Sequence, residues 1–218
     1  DLDSTRKKYA HQKLINAFSR QEIDILIGTQ MITKGLDFKQ VTMVGVLSAD
    51  NFLHFPDFRA HARAFQVLTQ VAGRAGRVGD ESKVLIQTFQ PQHPVLKFVS
   101  NYDYASFYEL QIKQREQFGY PPYTRIIRIE LKHKNMSTLV SASEWLKKGL
   151  LARFSQVLGP VAPTVGRVRN YYILNILIKL PLEASQSAAK NRLSKLLKSF
   201  EMVGAFSQVI VIVDVDPQ

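Results

Sequence analysis

Cysteine is absent from the 218 residues. That excludes disulfides, thiolate zinc centres and cysteine nucleophiles from the chemistry of this segment. No apolar run approaches the roughly 18 residues of a membrane span, and the opening DLDSTRKKYA has no apolar signal-peptide core. There is no G-x-x-x-x-G-K-[ST] loop to cradle α- and β-phosphates and no acidic box to hold Mg²⁺. His11, His54, His61, His93 and His133 show neither an HExxH pattern nor a matched carboxylate, so no metal site is expected. Met31, Met43, Met136 and Met202 read as packing residues rather than ligands. A chain that begins at Asp1, without an initiator methionine, reads as a piece of a longer protein.

Negative charge is scarce as well: 29 Lys and Arg stand against 18 Asp and Glu, a formal charge of +11. An excess of this size concentrates polyanions around the molecule, so nucleic acid is the first partner class it suggests and acidic membrane the second. A merely basic, soluble protein has the same composition. The excess is uneven. Residues 119–218 carry 14 basic and 6 acidic residues, a net +8, against +3 for residues 1–118.

Hydrophobic periodicity predicts alternating helix and strand over the first hundred residues. Ser4 or Thr5 is placed to cap a helix with Ala10, Leu14, Ala17 and Phe18 on its apolar side. IDILIGTQ (23–30), VTMVGVLSAD (41–50) and KVLIQTF (83–89) read as strands, the second apolar enough to be covered on both faces, with a helix over 59–72. Strands separated by helices predict a parallel, three-layer α/β sheet. Residues 95–118 read as helical, with Tyr104, Phe107, Tyr108 and Ile112 on one side. Pro121-Pro122 marks a linker and divides the chain into domains 1–118 and 119–218. Beyond it come a strand (125–133), a helix (137–154), two strands (157–165, 171–180), a helix (183–200) and a strand (209–215). This βαββαβ order predicts a ferredoxin-like α+β domain.

Three segments carry candidate chemistry. In ILIGTQMITKGLDF (25–38), a strand ending at Gly28-Thr29 feeds a polar loop with Lys34, Gly35 and Asp37, exposing N–H groups and a hydroxyl at the carboxyl edge of a sheet. An ordinary strand-to-helix turn has the same composition. In QVAGRAGR (70–77), Arg74 and Arg77 share one side of a helical turn, while Gly73 and Gly76 leave room for a phosphate chain. Two guanidiniums so placed suit a transferring phosphoryl group; a solvated basic turn is the alternative. In GRVRNYYILNILIKL (166–180), Arg167 and Arg169 precede an alternation that buries Tyr172, Leu174, Ile176, Ile178 and Leu180 and turns Tyr171, Asn175 and Lys179 the other way. Arginine beside an exposed aromatic suits stacking on single-stranded bases, although Tyr171 also suits covering a sheet edge.

GTQMITKGLDF followed by QVAGRAGR resembles motifs V and VI of superfamily 2 helicases. Together with DLDST, PDFRAHARAFQVLTQ (56–70), the proline pair after REQFGY, LGP (158–160) and DVDP (214–217), the chain resembles the PriA family of primosomal replication-restart helicases over essentially its whole length. The resemblance implies an α/β, RecA-like parallel-sheet helicase lobe (the second lobe, in part) followed by a ferredoxin-like carboxy-terminal DNA-binding domain. It implies the carboxy-terminal part of an ATP-dependent 3′→5′ DNA helicase that restarts replication at stalled or branched forks. In that scheme Arg74 and Arg77 approach the γ-phosphate, and Asp37, Gln70 and Gly73 lie on the nucleotide side. Gly28, Thr29, Lys34 and Gly35 follow the tracked strand, with Arg167, Arg169 and Tyr171 as further DNA contacts. ATP and Mg²⁺ are expected mainly on a first lobe outside this sequence, zinc only in an upstream element, and the fragment alone is expected to be inactive. Forked and single-stranded DNA, single-stranded DNA-binding protein and primosome components are the implied partners, in a bacterial cytoplasm and without a membrane. The chain departs from the family in having Tyr171, Tyr172 and Ile173 where relatives often carry further arginines among the aromatics. The competing reading is a non-catalytic nucleic-acid-binding module on an α/β scaffold.

Overall fold

A computed structural model describes residues 10–29, 41–73 and 83–217. The chain divides into two units, residues 1–110 and 111–218.

The first unit opens with α1 (Ala10–Ser19), which buries Ile15; its expected cap, Ser4 or Thr5, lies outside the described residues. The run expected as the first strand departs from the sequence reading. Residues 23–29 form no strand, and Ile25 and Ile27 are 75% and 81% exposed. β-branched composition favours an extended chain, but a strand also needs a neighbouring ladder and a covered face, and this run has neither among the described residues. The two strands that do form, β1 (Met43–Val46) and β2 (Lys83–Ile86), pair in parallel with Met43 opposite Lys83 and Val46 opposite Ile86. Both are shorter than expected and half-covered, with exposed and partly buried positions alternating. The expectation of a strand buried on both faces therefore fails: Met43 and Leu47 are exposed.

Between these strands lie α2 (Asp50–Leu53) and α3 (Ala60–Ala72). α3 buries Ala64, Phe65, Leu68, Val71 and Ala72, a stripe at helical spacing. Residues 95–118 are two helices rather than one, α4 (Pro94–Ser100) and α5 (Tyr104–Gln117). The break has local causes. Tyr102 adopts φ +52°, and the Asp103 carboxylate accepts the Ser106 N–H at 3.0 Å, starting a new helix. Phe107 is buried and stacks on Phe65 at 4.4 Å, whereas Tyr104 and Tyr108 remain exposed.

The second unit follows the expected order: β3 (Thr124–His133), α6 (Met136–Leu151), β4 (Gln156–Val161), a short β5 (Arg167–Val168), β6 (Tyr171–Pro181), α7 (Gln186–Glu201) and β7 (Ile210–Val215). The sheet runs β4-β6-β3-β7, every pair antiparallel, with β5 folded back on β6. This is the split βαβ arrangement of a ferredoxin-like domain. Period-2 residues Ile127, Ile129 and Leu131 of β3 and Leu174, Ile176 and Ile178 of β6 meet Leu139, Leu146, Leu193, Leu196 and Phe200 of the helices in one core. Both helices carry side-chain caps, Asn135 Oδ1 accepting from Thr138 N–H and Ser185 Oγ from Ala188 N–H. An α/β first unit with parallel strands and a ferredoxin-like α+β second unit agree with the fold class expected from the sequence.

Candidate nucleotide and nucleic-acid sites

In the first unit α3 is the element that delivers the candidate nucleotide-side residues. Asp57 fixes its start, accepting the Arg59 N–H at 2.7 Å and lying 3.5 Å from the Arg63 guanidinium. With its apolar stripe buried, α3 leaves Gln70 exposed, and Gly73 closes it by donating to Thr69 O at 2.9 Å. A Cβ on Gly73 would make ordinary van der Waals contact with Thr69 O at 3.5 Å and Gln70 O at 3.8 Å. The chain passes from Gly73 directly to Arg74. Arg74, Arg77, Lys34, Gly35 and Asp37 lie outside the described residues; Gly28 and Thr29 are exposed.

At the carboxyl ends of the parallel strands, where α/β sheets hold ligands, the described residues instead form a polar knot that sequence reasoning missed. The Asp50 carboxylate accepts Thr88 Oγ1–H at 2.9 Å and Phe89 N–H at 3.2 Å. Desolvation, the largest single influence, pushes the Asp50 carboxyl up, but these hydrogen bonds together with His54 outweigh it and hold it below the ordinary carboxylate value. Nearby, His54 and His61 both approach His93, with ring centroids 6.1 and 5.2 Å apart. Burial, then the neighbouring imidazoles, lowers the pKa of His61 and of His93, with Asp50 opposing at His93. His93 Nδ1 accepts the Val95 N–H and caps α4. Among the described residues no group of three His, Cys, Asp or Glu side chains is arranged to hold a metal ion.

In the second unit, β5 and β6 form a hairpin with Arg167 opposite Tyr172 and Val168 opposite Tyr171. The two loop residues, Arg169 at φ +46° and Asn170 at φ +67°, are both left-handed, as a tight two-residue hairpin turn requires. Asparagine tolerates this region; an arginine held there costs about 1–2 kcal/mol. The tip is a basic and aromatic cluster. Arg167 lies 4.7 Å from the Tyr172 ring centroid and donates to Asn170 Oδ1 at 3.4 Å, while Lys134 Nζ lies 5.6 Å from the Tyr171 ring. Arg169 is exposed. The sequence reading set the arginines beside Tyr171; the ladder sets Arg167 on Tyr172, which packs on the core, and leaves Tyr171 with Lys134. Lys134 escaped notice because its place depends on the long-range register of His133 with Tyr172.

Lys179 departs further from expectation. It does turn away from the core side of β6, but it is only 6% exposed. Its Nζ donates to Phe118 O at 2.6 Å and lies 3.7 Å from the Tyr120 ring centroid, and burial lowers its pKa below 10.5. It therefore anchors the segment that enters the domain and is not a surface cation.

Residues 116–218 match the family described as the primosomal protein N C-terminal domain, and residues 1–79 match the helicase conserved C-terminal domain. Over its whole length the chain is 39% identical to the replication restart protein PriA of Bacillus subtilis and 38% identical to that of Synechocystis. Over 128 residues, 59% of the chain, it is 47% identical to the replication restart protein PriA of Chlamydia trachomatis. It spans 27%, 26% and 17% of the lengths of these three relatives.

Proposed function

The chain belongs to the PriA family of replication-restart proteins, as a carboxy-terminal portion, and on that premise we propose that it supplies the second motor lobe and the DNA-gripping last domain of an ATP-dependent 3′→5′ helicase acting at stalled or branched forks. The observation that most supports this reading is the order along one chain. α3 ends at Gly73 and hands on to Arg74 and Arg77, and the lobe is followed by a domain whose hairpin carries two exposed arginines beside half-buried tyrosines.

In this reading Arg74 and Arg77 donate to the γ-phosphate as charge builds on it, with Gln70, Gly73 and Asp37 on the same side of the lobe interface. Gly28, Thr29, Lys34 and Gly35 follow the phosphates of the tracked strand, and Arg167, Arg169 and Tyr171 hold a second stretch of DNA. ATP and Mg²⁺ supply the phosphoryl chemistry and are held mainly by another lobe, since these 218 residues contain no phosphate loop or acidic box. The lobe is assigned to residues 1–118 and the last domain to 119–218. Single-stranded DNA-binding protein and primosome components are partners in a bacterial cytoplasm. No helix among the described residues is long and apolar enough to cross a membrane.

The test is ATP turnover. The 218-residue chain alone should show no DNA-stimulated hydrolysis. In the full-length protein Arg74→Ala or Arg77→Ala should lower kcat by about a thousand-fold, the scale of an arginine finger, with DNA affinity little changed. Lysine should not rescue, because a compact ammonium lacks the planar fork. If either Ala variant keeps near-normal turnover and loses only DNA binding, the chain is instead a non-catalytic nucleic-acid-binding module.

A further inference from the structure

We propose that the outward face of α6 and α7 is a separate docking surface for the phosphate backbone of a nucleic-acid duplex. The argument begins with how the second unit's cations are disposed. On the open face of the sheet they are neutralised: Arg128 pairs with Asp214 at 2.7 Å and Lys132 with Glu130 at 2.8 Å. Lys179 is buried. On the two helices they are not. Lys148, Arg192, Lys195 and Lys198 are exposed and have no ion pair among the described residues. Only Glu144 and Glu201 are acidic within these helices.

The helices form one layer. A Cβ on Gly149 would lie 2.5 Å from Leu196 Cδ1, so α6 and α7 meet closely there. Their apolar stripes, Leu139, Leu146 and Leu150 on one and Leu193, Leu196 and Phe200 on the other, are spent on the core. At 100° per residue, Lys148, Lys195 and Lys198 point away from those stripes, and Arg192, Lys195 and Lys198 follow one another at i, i+3, i+6, rising about 4.5 Å per step.

What remains outward on α7 is charge, with no exposed large apolar side chain along the helix, whereas α6 exposes Met136, Val140 and Leu151 beside Lys148. The cations of α7 therefore lack the apolar side through which an amphipathic helix enters a lipid surface. Trp145, the aromatic residue on α6, packs on Phe200 and Phe206, so the face offers no ring for a base to stack on. Phosphate contact alone is left, and a duplex presents the denser array, one charge per about 1.7 Å of axis. The hairpin, with its tyrosines, suits single strands instead. This inference rests on the second unit's charge and packing, so failure of the ATP-turnover test leaves it standing.

The experiment compares the 218-residue chain with Arg192→Gln/Lys195→Gln/Lys198→Gln by anisotropy salt titration on duplex and on single-stranded oligonucleotides. Lys13→Gln/Lys97→Gln/Lys113→Gln, all exposed positions, serves as a charge-matched control, and Trp145 fluorescence verifies folding. The log-log salt slope on duplex should fall by about 2 to 3, each phosphate contact contributing about 0.9. The single-strand slope and the control should hardly change. An unchanged duplex slope, an equal fall in the control, or an equal fall on single strands overturns the assignment. So does a loss confined to vesicles containing phosphatidylserine, followed by co-sedimentation of the same variants.

Discussion

Replacing Lys179 with Met removes one ammonium from the edge of the second unit and leaves the aliphatic stem's volume nearly intact. Two favourable interactions go with it. The charged hydrogen bond to Phe118 O, at 2.6 Å, is worth about 1.5–3 kcal/mol, and the contact with the Tyr120 ring, at 3.7 Å, about 1–2 kcal/mol. One unfavourable contribution goes too, because the ammonium is desolvated and no carboxylate pairs with it among the described residues. Offsetting part of the loss in this way leaves a net destabilisation of about 1–2 kcal/mol. The sign of its pH dependence is firmer than its size. Burial lowers the folded-state pKa below the ordinary 10.5, so between those two values the unfolded chain binds more protons and this group's contribution to stability rises with pH. The gap between wild type and Lys179→Met should therefore widen as the pH rises towards 10.5. Urea melts followed by fluorescence suit the question, since the chain's single tryptophan, Trp145, packs 5.7 Å from Phe200 and reports on this unit. Amide exchange should quicken at Gly119 and Tyr123, which are bonded to Glu116 O and Tyr120 O. A gap that narrows at high pH, or a Met variant as stable as wild type with unchanged exchange, would refute the anchoring role.

The two hairpin tyrosines should separate cleanly. Tyr171→Ala should weaken single-strand binding by about 1–3 kcal/mol with little effect on duplex or on the melting midpoint. Tyr172→Ala, which removes a ring packed on the core and under Arg167, should lower stability by about 1–2 kcal/mol. Equal effects of the two on binding would contradict the register described above. At the helix contact, Gly149→Ala places a methyl 2.5 Å from Leu196 Cδ1 and should cost about 1–3 kcal/mol by overpacking, even though alanine is the better helix former by about 1 kcal/mol. A neutral or stabilising result in the same urea melts would mean that Leu196 moves aside freely.

The second unit was readable in the sequence because each element carries its own local evidence. β3 and β6 each carry an apolar set at period 2, Ile127, Ile129 and Leu131 in one and Leu174, Ile176 and Ile178 in the other, α6 and α7 repeat their leucines at helical spacing, and Asn135 and Ser185 stand where caps belong. The first unit was less readable because its elements depend on neighbours. IDILIGTQ has strand composition but forms no ladder among the described residues, and VTMVGVLSAD yields only Met43–Val46, with one side uncovered. The division of residues 95–118 did have a local signal: Pro94 opens one helix and Asp103, three residues before Ser106, caps the next. For the candidate sites, Arg74, Arg77, Lys34, Gly35 and Asp37 rest on motif wording alone and lie outside the described residues. Lys134 and Lys179 were not legible, since their surroundings come from segments 37 and 61 residues away in the chain: Lys134 meets the Tyr171 ring, and Phe118 accepts from Lys179.

Charge shows where such reading stops. The +8 of residues 119–218 can be counted from the sequence, but the count does not distinguish a cation available to phosphate from one already engaged. Arg128 answers Asp214 on the neighbouring strand, Lys132 answers Glu130 on its own strand, and Lys179 is spent on a backbone carbonyl and a ring. Most of those that remain fall into two groups of different character, one mixed with tyrosines at a tight turn and one along the helices. Counterion release depends on phosphates actually neutralised and not on net charge. The salt slope of this domain should therefore differ between single-stranded and duplex DNA, each set by the cations of the surface that meets it, and +8 should predict neither.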